Sequence, residues 1–385
     1  MSLGERLRHR ALDPAAQQLV EDFTSKLLDL GRMNENAHLI GRWAGSSAVL
    51  CRTNADALRI SRTLSQAGVD HALRRPAQEI GASPWISRAF SGASGVLVDE
   101  DEALEWIAQT PDAPDPDEAW MQLKASDRDP RMRRTLNLLG LHRSIRANAL
   151  PLALTGSVNQ AVVVSTIHRA KGLEFDKVVI VRPDHNWENR NIDAEVRLSY
   201  VALSRARDDI YQVRPEPLKG FFKRGSGDRW IETTFAGKNR TRPVSMEFRH
   251  HDVEVQYPFS GSADAATIQH LCATKRLAGR PVTAWLDQTA SSTDWPCYML
   301  GIDGAEIVAT TSEEFGWDFQ KVFGRPKYGR GWPLRLTGMT VTAVETVAGE
   351  REYGIRAGLG DAGLWLVPRI LGLARPDWSN GKEES

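Results

Sequence analysis

Two short segments in the middle of the chain carry side chains that are suited to phosphate contacts. The first, residues 162–181, reads VVVSTIHRAKGLEFDKVVIV, and the second, residues 197–207, reads RLSYVALSRAR. The planar guanidinium of Arg205 in the second segment can hold two phosphate oxygens at once. The hydroxyl of Thr166 and the imidazole of His168 in the first segment suit contacts with nucleic-acid phosphates or base faces, without reading the base sequence.

The two segments resemble the fifth and sixth motifs of UvrD/Rep-type superfamily 1 DNA helicases, whose usual forms are T-x-H-x-x-K-G-L-E-F and L-Y-V-A-x-T-R-A. Upstream, Arg52-Thr53-Asn54 resembles the V-L-x-R-T-N-A segment that opens the second RecA-like domain of these proteins. Departures are small: Ser204 replaces the more usual threonine, and Ser199 stands where leucine is common. The resemblance covers about residues 45–214 and identifies the chain as similar to the C-terminal half of such a helicase.

The resemblance implies nucleotide-binding roles for five residues. Lys171 matches the lysine that faces the phosphates, and Gly172 lies beside it in the same turn. Glu174 matches the acidic residue that accepts a hydrogen bond from the ribose hydroxyl. Arg205 matches the arginine finger, a group that can contribute roughly 10³–10⁵ to the rate of phosphoryl transfer. Arg10 is a candidate for the phosphate-sensing arginine of the family's N-Y-R-S element.

The resemblance also implies contacts with single-stranded DNA. Thr166 and His168 match the positions of the fifth motif that face the DNA strand, and Arg52, Thr53 and Asn54 match the opening segment, which meets DNA at a strand tip. Ligand contacts in open α/β sheets concentrate just past the carboxyl ends of strands, which is where the Arg-Thr-Asn cluster is expected.

The phosphate loop of the family is missing from these 385 residues, because no G-x-x-x-x-G-K-[ST] segment occurs. ATP with Mg²⁺ is therefore implied as a cofactor only if a partner domain completes the site. The implied partners are single-stranded DNA and a phosphate-loop-bearing N-terminal helicase domain in trans. We expect the isolated chain to bind ATP weakly and to hydrolyse it at a negligible rate.

Three interpretations of the whole chain stay open. The first is the C-terminal half of a 3′–5′ DNA helicase or translocase, and the second is a non-catalytic remnant that binds single-stranded DNA or a partner. The third is a truncated gene or product. Whether the pathway is DNA repair or defence is also left open by the sequence.

Apolar runs indicate the elements that must position these residues. Ala48–Cys51 predicts a strand that leads into a helix from Ala55, and Val162–Val164 and Lys177–Val181 predict strands buried on both faces. Leu198–Ala206 predicts a helix or the approach to a short strand at Ile210–Val213. Further helices are expected at residues 14–30, 102–109 and 131–139, and Asp99 is expected to be the N-cap of the second. The predicted fold class is α/β, a RecA-like parallel sheet without a phosphate loop.

After Pro215 the composition changes to glycine, tryptophan and alternating strand-like runs. We therefore predict a UvrD-like domain over residues 1–214, with a reduced insertion at about 85–150, and a β-rich accessory domain over residues 215–385. Within it, residues 214–249 contain nine Lys or Arg against four Asp or Glu. Such a stretch either holds phosphates while its rings stack on bases, or is a solvated loop with core aromatics.

Composition excludes several classes of protein. The 49 basic and 49 acidic residues balance, so any DNA contact must come from a local patch. Three widely separated cysteines favour a reducing compartment, and no apolar run approaches a membrane span. We expect a soluble cytoplasmic protein with no membrane contact. His250-His251-Asp252 lacks further ligands at suitable spacing, so no metal site is predicted.

Overall fold

The computed structural model describes residues 18, 22, 24–76, 79–126, 134–156, 160–182, 192–237, 240–259, 263–304, 306–325 and 331–378. The chain divides into two compact units. The first comprises Met1–Pro76, Asn159–Lys223 and Glu232–Arg242, and the second comprises Ala77–Val158, Arg224–Ile231 and Pro243–Ser385.

The described elements are as follows in chain order. The strands are β1 (Leu28–Arg32), β2 (Ser47–Cys51), β3 (Ala72–Leu73), β4 (Leu97–Asp99), β5 (Thr135–Asn137), β6 (Val162–Thr166), β7 (Phe175–Val181), β8 (Ala206–Arg214), β9 (Gly220–Arg224), β10 (Trp230–Phe235), β11 (Thr241–Phe248), β12 (Pro281–Leu286), β13 (Tyr298–Ile302), β14 (Glu306–Thr310), β15 (Arg335–Ala348) and β16 (Leu364–Asp377). The α-helices are α1 (Met33–Ile40), α2 (Asn54–Gln66), α3 (Pro84–Phe90), α4 (Glu100–Gln109), α5 (Pro116–Ser126), α6 (Leu138–Arg146), α7 (Ile192–Leu203), α8 (Ala265–Thr274), α9 (Glu313–Phe323) and α10 (Arg351–Arg356).

A six-stranded sheet forms the centre of the first unit, in the order β1-β8-β7-β2-β6-β3. All of its ladders are parallel. Every residue of β2 and β6 is buried, as expected of central strands with both faces covered. The predicted α/β class with a parallel sheet is therefore confirmed.

Helix α2 begins directly after β2, and its first residues explain why it begins there. The Thr53 hydroxyl accepts a hydrogen bond from the backbone N–H of Asp56 at 3.1 Å, and the Asp56 carboxylate accepts one from the backbone N–H of Thr53 at 3.2 Å. This reciprocal capping box starts the helix directly after β2. Beyond the helix, the buried His71 ring lies 2.7 Å from the Ser61 hydroxyl, and burial lowers the pKa of His71.

An antiparallel sheet forms the centre of the second unit. An eight-stranded sheet has the order β14-β13-β12-β15-β16-β11-β10-β9. The two longest strands, β15 and β16, pair from Arg335 with Asp377 to Ala348 with Leu364. Helices α8 and α9 contribute buried apolar residues to the core beneath this sheet. The predicted β-rich character of the C-terminal part is confirmed.

A buried ionic cluster joins three segments of the second unit. The Arg229 guanidinium donates to both carboxylate oxygens of Asp252, at 2.6 and 2.7 Å, and to Asp318 at 2.6 Å. The side chains of Arg229 and Asp252 are 1% and 0% exposed. Because the two carboxylates share one cation, the cluster ties the segment before β10 to helix α9 and the turn after β11.

Residues between β3 and β6 form a helical segment that packs with the second unit. Helices α3 to α6 enclose their own apolar core, to which Ala348, Ala362 and Leu364 also contribute. The backbone N–H of Thr346 donates to Ala82 O at 3.0 Å, which attaches the segment to β15. The structure thus groups Ala77–Val158 with the β-rich unit, whereas the sequence placed an insertion at about 85–150 inside the first domain. The sequence-based boundary at residue 214 stays a prediction.

Two local predictions need correction, and others are confirmed. Residues 28–30 belong to β1, not to the helix predicted over 14–30, because Leu28 pairs with Tyr211 of β8. Residues 135–137 form β5, which pairs with β4, so the helix predicted at 131–139 is wrong there. Asp99 does cap α4, accepting a hydrogen bond from the backbone N–H of Asp101 at 3.1 Å. Most of the 14–30 prediction lies outside the described residues.

Candidate functional site

The residues predicted to bind ligands lie at two opposite edges of the parallel sheet. At one edge β2 and β6 end side by side, with Cys51 and Thr166 as register partners. At the other edge β7 and β8 begin side by side, with Phe175 and Ala206 as partners. Since all strands point the same way, the residues matched to DNA contacts lie at the carboxyl edge. Those described residues that are matched to nucleotide contacts lie at the amino edge.

Arg52 occupies the carboxyl edge and is held by a carboxylate of α7. Its Nε and Nη2 atoms both donate to Oε1 of Glu195, at 2.8 and 2.7 Å. The Arg52 side chain is 32% exposed and that of Glu195 is 10% exposed. Thr53 is engaged in the cap of α2, and Asn54 is the first residue of that helix. Arg52 thus keeps a solvent-facing part beside a strand end, while the Thr53 hydroxyl has an internal partner.

The turn after β6 adds further groups to the carboxyl edge. Thr166 is buried, and its hydroxyl accepts a hydrogen bond from the backbone N–H of Arg169 at 3.4 Å, whereas His168 is exposed. Arg169 Nη1 donates to the backbone oxygen of Arg74 at 3.1 Å. Arg74 follows β3, and partial burial lowers its pKa. Arginines 52, 74 and 169 therefore concentrate positive charge at this edge, beside the His168 imidazole.

Arg205 lies at the amino edge, and its guanidinium donates hydrogen bonds to other residues of the same chain. Nη1 donates to the backbone oxygen of Leu173 at 2.9 Å, Nε to that of Val201 at 3.1 Å, and Nη2 to the Ser204 hydroxyl at 3.0 Å. The backbone oxygen of Arg205 also accepts from the N–H of Phe175 at 2.8 Å. These bonds fasten the start of β8 to the turn that precedes β7.

Lys171, Gly172 and Glu174 share that turn, and all three are exposed. Gly172 has φ +80°, a left-handed conformation that glycine adopts without strain, and nothing lies within 4 Å of the position a Cβ would take. The Glu174 carboxylate is paired with Nε of Arg207 at 3.3 Å. Nη1 of Arg207 lies 3.6 Å from Asp176, so this arginine spans two carboxylates.

Asp176 anchors the same edge to the loop before β2. Its carboxylate accepts hydrogen bonds from the backbone N–H and the hydroxyl of Ser46, at 2.7 and 3.0 Å. The backbone donor of Ser46 is the main reason that the pKa of Asp176 is lowered. Gly45 has φ +79°, and a Cβ there would collide with the Asp176 carboxylate. The loop can therefore close on Asp176 only with glycine at position 45.

Four of the predicted nucleotide residues thus come together. Lys171, Gly172 and Glu174 lie on one turn, and the Arg205 guanidinium binds the carbonyl in the middle of that turn. Arg10 lies outside the described residues. Over the part of the chain that the structure describes, no group of three His, Cys, Asp or Glu side chains could hold a metal ion.

Comparison with known proteins identifies the region that contains these motifs. A model of the UvrD-like helicase C-terminal domain matches residues 122–213, which include both motif segments. Residues 122–213 are thus similar to a UvrD-like helicase C-terminal domain. A search of curated proteins finds no relative. A structure titled as the C-terminal domain of a possible DNA helicase from Lactobacillus plantarum WCFS1 is similar at 14% identity and a TM-score of 0.23, over 51% of this chain and 83% of that one.

The parallel sheet of the first unit, with its helices, is consistent with the RecA-like α/β architecture that the motifs implied. Among the described residues, no helix has the length and hydropathy of a membrane span. Sequence reasoning assigned no role to four residues that the structure places at these edges, namely Arg74, Arg169, Arg207 and Glu195. For Arg207 a signal existed, since it lies in the second motif segment two residues after Arg205.

Proposed function

We propose that the chain supplies the second RecA-like wall of a UvrD-like 3′–5′ DNA helicase or translocase. The observation that carries the proposal is the turn Lys171–Glu174, to which the Arg205 guanidinium is bound within a UvrD-like domain. An ordinary surface turn with surface charges would not require an arginine to be directed to it. The opposite edge of the same sheet carries the cationic groups proposed to meet single-stranded DNA.

The side chains at the amino edge, a guanidinium, an ammonium and a carboxylate, suit contacts with a ribose and phosphates. Five N–H donors belong to a guanidinium, and the bonds of Arg205 use three of them, which leaves one on each Nη atom for an oxyanion. Lys171 is an exposed cation beside it, and Glu174 is an exposed hydrogen-bond acceptor. We assign these residues, Gly172 and Arg10 to ATP binding with Mg²⁺, completed by a phosphate-loop domain outside the 385 residues. Hydrolysis of ATP held there would supply the free energy for movement along DNA.

On the DNA side, we assign contacts to Arg52, Asn54 and His168, with Thr53 and Thr166 shaping the strand ends from which those side chains project. Arg74 and Arg169 extend the cationic edge. Contacts of this kind bind the backbone of a single strand without sequence preference, and their affinity falls with salt.

A steady-state ATPase assay tests the proposal. The pure chain with single-stranded DNA should show negligible turnover, and addition of a UvrD-like phosphate-loop domain should restore it. In the completed enzyme Arg205→Ala should reduce turnover by roughly 10³-fold or more. Arg207→Ala is the matched control, with a much smaller effect. Robust turnover by the pure chain that is abolished by Arg205→Ala would contradict the need for a partner domain.

A second candidate function is non-catalytic binding of single-stranded DNA or a partner. The observation that favours it is that Arg205 and Glu174 already have partners within the chain, the Leu173 carbonyl and Arg207. This candidate predicts DNA affinity that is unchanged by ATP and by Glu174→Ala, even with a phosphate-loop domain present. A fluorescence-anisotropy titration with and without ATP distinguishes it from the motor, whose DNA affinity should respond to both.

A further inference from the structure

Two phenylalanine rings are exposed together on β9 and β10, the two strands at one end of the eight-stranded sheet. Phe221 of β9 and Phe235 of β10 are 39% and 66% exposed, and their ring centroids are 5.8 Å apart at an interplanar angle of 50°. Exposed aromatic pairs are unusual, because burial of such rings is among the larger apolar contributions to folding. The core-aromatic interpretation of this stretch therefore does not hold for these two residues.

The strands beneath the rings are well anchored. On β10, Ile231 and Thr233 are 4% and 2% exposed, whereas Phe235, two residues further, emerges from that buried face. The Thr233 hydroxyl donates to the backbone oxygen of Phe221 at 2.8 Å, and Arg62 of α2 pairs with Glu232 at 2.7 Å. The aromatic pair is therefore presented by a backbone that is held in place, which lowers the entropy lost on binding.

Four exposed cations surround the pair in the chain: Lys219, Lys223, Arg240 and Arg242. None of the four forms an ion pair with any residue that the structure describes. By contrast, Arg224 is paired with Asp228 at 2.9 Å and lies over the Trp230 ring at 4.1 Å. Exposed cations that are close in the chain to exposed rings match a ligand that carries both negative charge and flat apolar faces.

We propose that Phe221, Phe235 and these four exposed cations form a stacking platform for single-stranded DNA, separate from the carboxyl-edge residues. Unpaired bases stack on the two rings while Lys219, Lys223, Arg240 and Arg242 contact the backbone phosphates. Duplex DNA cannot offer its base faces, and an apolar protein partner would not need four cations around two rings. The inference rests on the proposed function, since it assumes that DNA is the ligand of this chain.

The decisive experiment separates ring stacking from apolar contact. Fluorescence anisotropy measures binding of a fluorescein-labelled single-stranded oligonucleotide to the full chain and to the double variant Phe221→Leu with Phe235→Leu. Leucine keeps apolar area but loses the aromatic face, so binding should weaken by about 5- to 150-fold for each lost stack. The double variant Phe221→Tyr with Phe235→Tyr should bind as the unchanged chain does. Trp317→Leu, at an aromatic residue that is 37% exposed in the second unit, is the matched control.

Two further probes test the two halves of the platform. An abasic oligonucleotide of equal length should bind more weakly and should not distinguish the leucine variant from the unchanged chain. Lys219→Gln with Lys223→Gln should reduce the salt slope of log affinity by about 1.4, the value for two lost single-strand phosphate contacts. The platform is overturned if the leucine variant retains full affinity, or if the abasic strand binds as tightly as the normal one.

These experiments distinguish a failure of the stacking platform from a failure of the proposed helicase function. If Arg52→Ala and His168→Ala weaken DNA binding while the leucine variant does not, the platform fails and the helicase assignment stands. If no variant of the chain binds single-stranded DNA, both fail. A thermal melt checks that each variant is folded. The melting temperature should be unchanged because the substituted side chains are exposed.

Discussion

Replacing Arg205 by alanine tests whether its guanidinium holds the turn Lys171–Glu174 in solution. Val201 O keeps a hydrogen bond from the Ser204 hydroxyl at 3.0 Å, so the main loss falls on Leu173 O, which accepts from Nη1 of Arg205 at 2.9 Å. A hydrogen bond from a charged donor contributes about 1.5–3 kcal/mol, and partial exposure lets water replace some of it. We therefore expect the free energy of opening this turn to fall by about 1–2 kcal/mol.

Amide hydrogen exchange followed by mass spectrometry measures this change. The reporters are the N–H of Leu173, which donates to Ala170 O at 3.1 Å, and the N–H of Phe175, which donates to Arg205 O at 2.8 Å. The expected loss corresponds to exchange that is roughly 5- to 30-fold faster. The exchange rates of the Arg205→Lys variant should lie between those of the unchanged chain and those of Arg205→Ala, because an ammonium can donate to one carbonyl but offers no planar fork.

The control for this measurement is Arg207→Ala. Its ion pairs with Glu174 and Asp176 span 3.3 and 3.6 Å and involve an arginine side chain that is 56% exposed. Such surface pairs contribute about 0–1 kcal/mol, so the turn should exchange only slightly faster. If Arg205→Ala leaves exchange in the turn at the unchanged rate, the guanidinium is not held by the Leu173 carbonyl, and the argument from its hydrogen bonds is refuted.

Other perturbations have equally definite expectations. Arg229→Met should lower the free energy of unfolding by about 3–5 kcal/mol, measured by urea titration, because it strips the buried carboxylates of Asp252 and Asp318 of their shared cation. The triple variant that adds Asp252→Asn and Asp318→Asn should recover much of this loss, and no recovery would contradict an ionic origin. Thr53→Ala should destabilise by about 1 kcal/mol through loss of the helix cap, while Thr53→Ser should not; equal melting temperatures for the alanine and unchanged chains would disprove the cap's contribution. Because burial lowers the pKa of His71 from 6.5, the unfolded chain binds more protons than the folded one below about pH 6.5, so stability falls as the pH drops through that value. His71→Gln should make this acid limb shallower in thermal melts between pH 7.5 and 5.5, and an unaltered limb would show that His71 does not cause it.

The strands around the site were predictable because burial imposes a strong local pattern. Val162–Val164 and Ala48–Cys51 are apolar runs, and both form central strands whose residues are all buried. The region at 131–139 was not predictable in the same way. Its Leu136 and Leu138 fit both a helix and a strand, and residues 135–137 become a strand only because β4 lies alongside to pair with them.

The identity of the site residues was also partly predictable, and their partners were not. Lys171, Gly172 and Glu174 are adjacent in sequence, so their shared turn follows from the motif. Nothing local shows that Arg205 binds the Leu173 carbonyl, or that Glu195 holds Arg52 across 143 positions of the chain. Those contacts depend on the order β8-β7-β2-β6, which brings distant segments side by side.

By itself, then, the sequence determined the UvrD-like character of the central region, the parallel α/β class and the residue types available for phosphate and DNA. Only the tertiary structure decided that the residues matched to nucleotide contacts and those matched to DNA contacts lie at opposite sheet edges, that Arg205 is bound to its neighbouring turn, and that Phe221 and Phe235 are exposed. The physical reason is that motifs and hydrophobic runs act over a few residues, whereas strand order and side-chain burial arise from contacts between segments far apart in the chain.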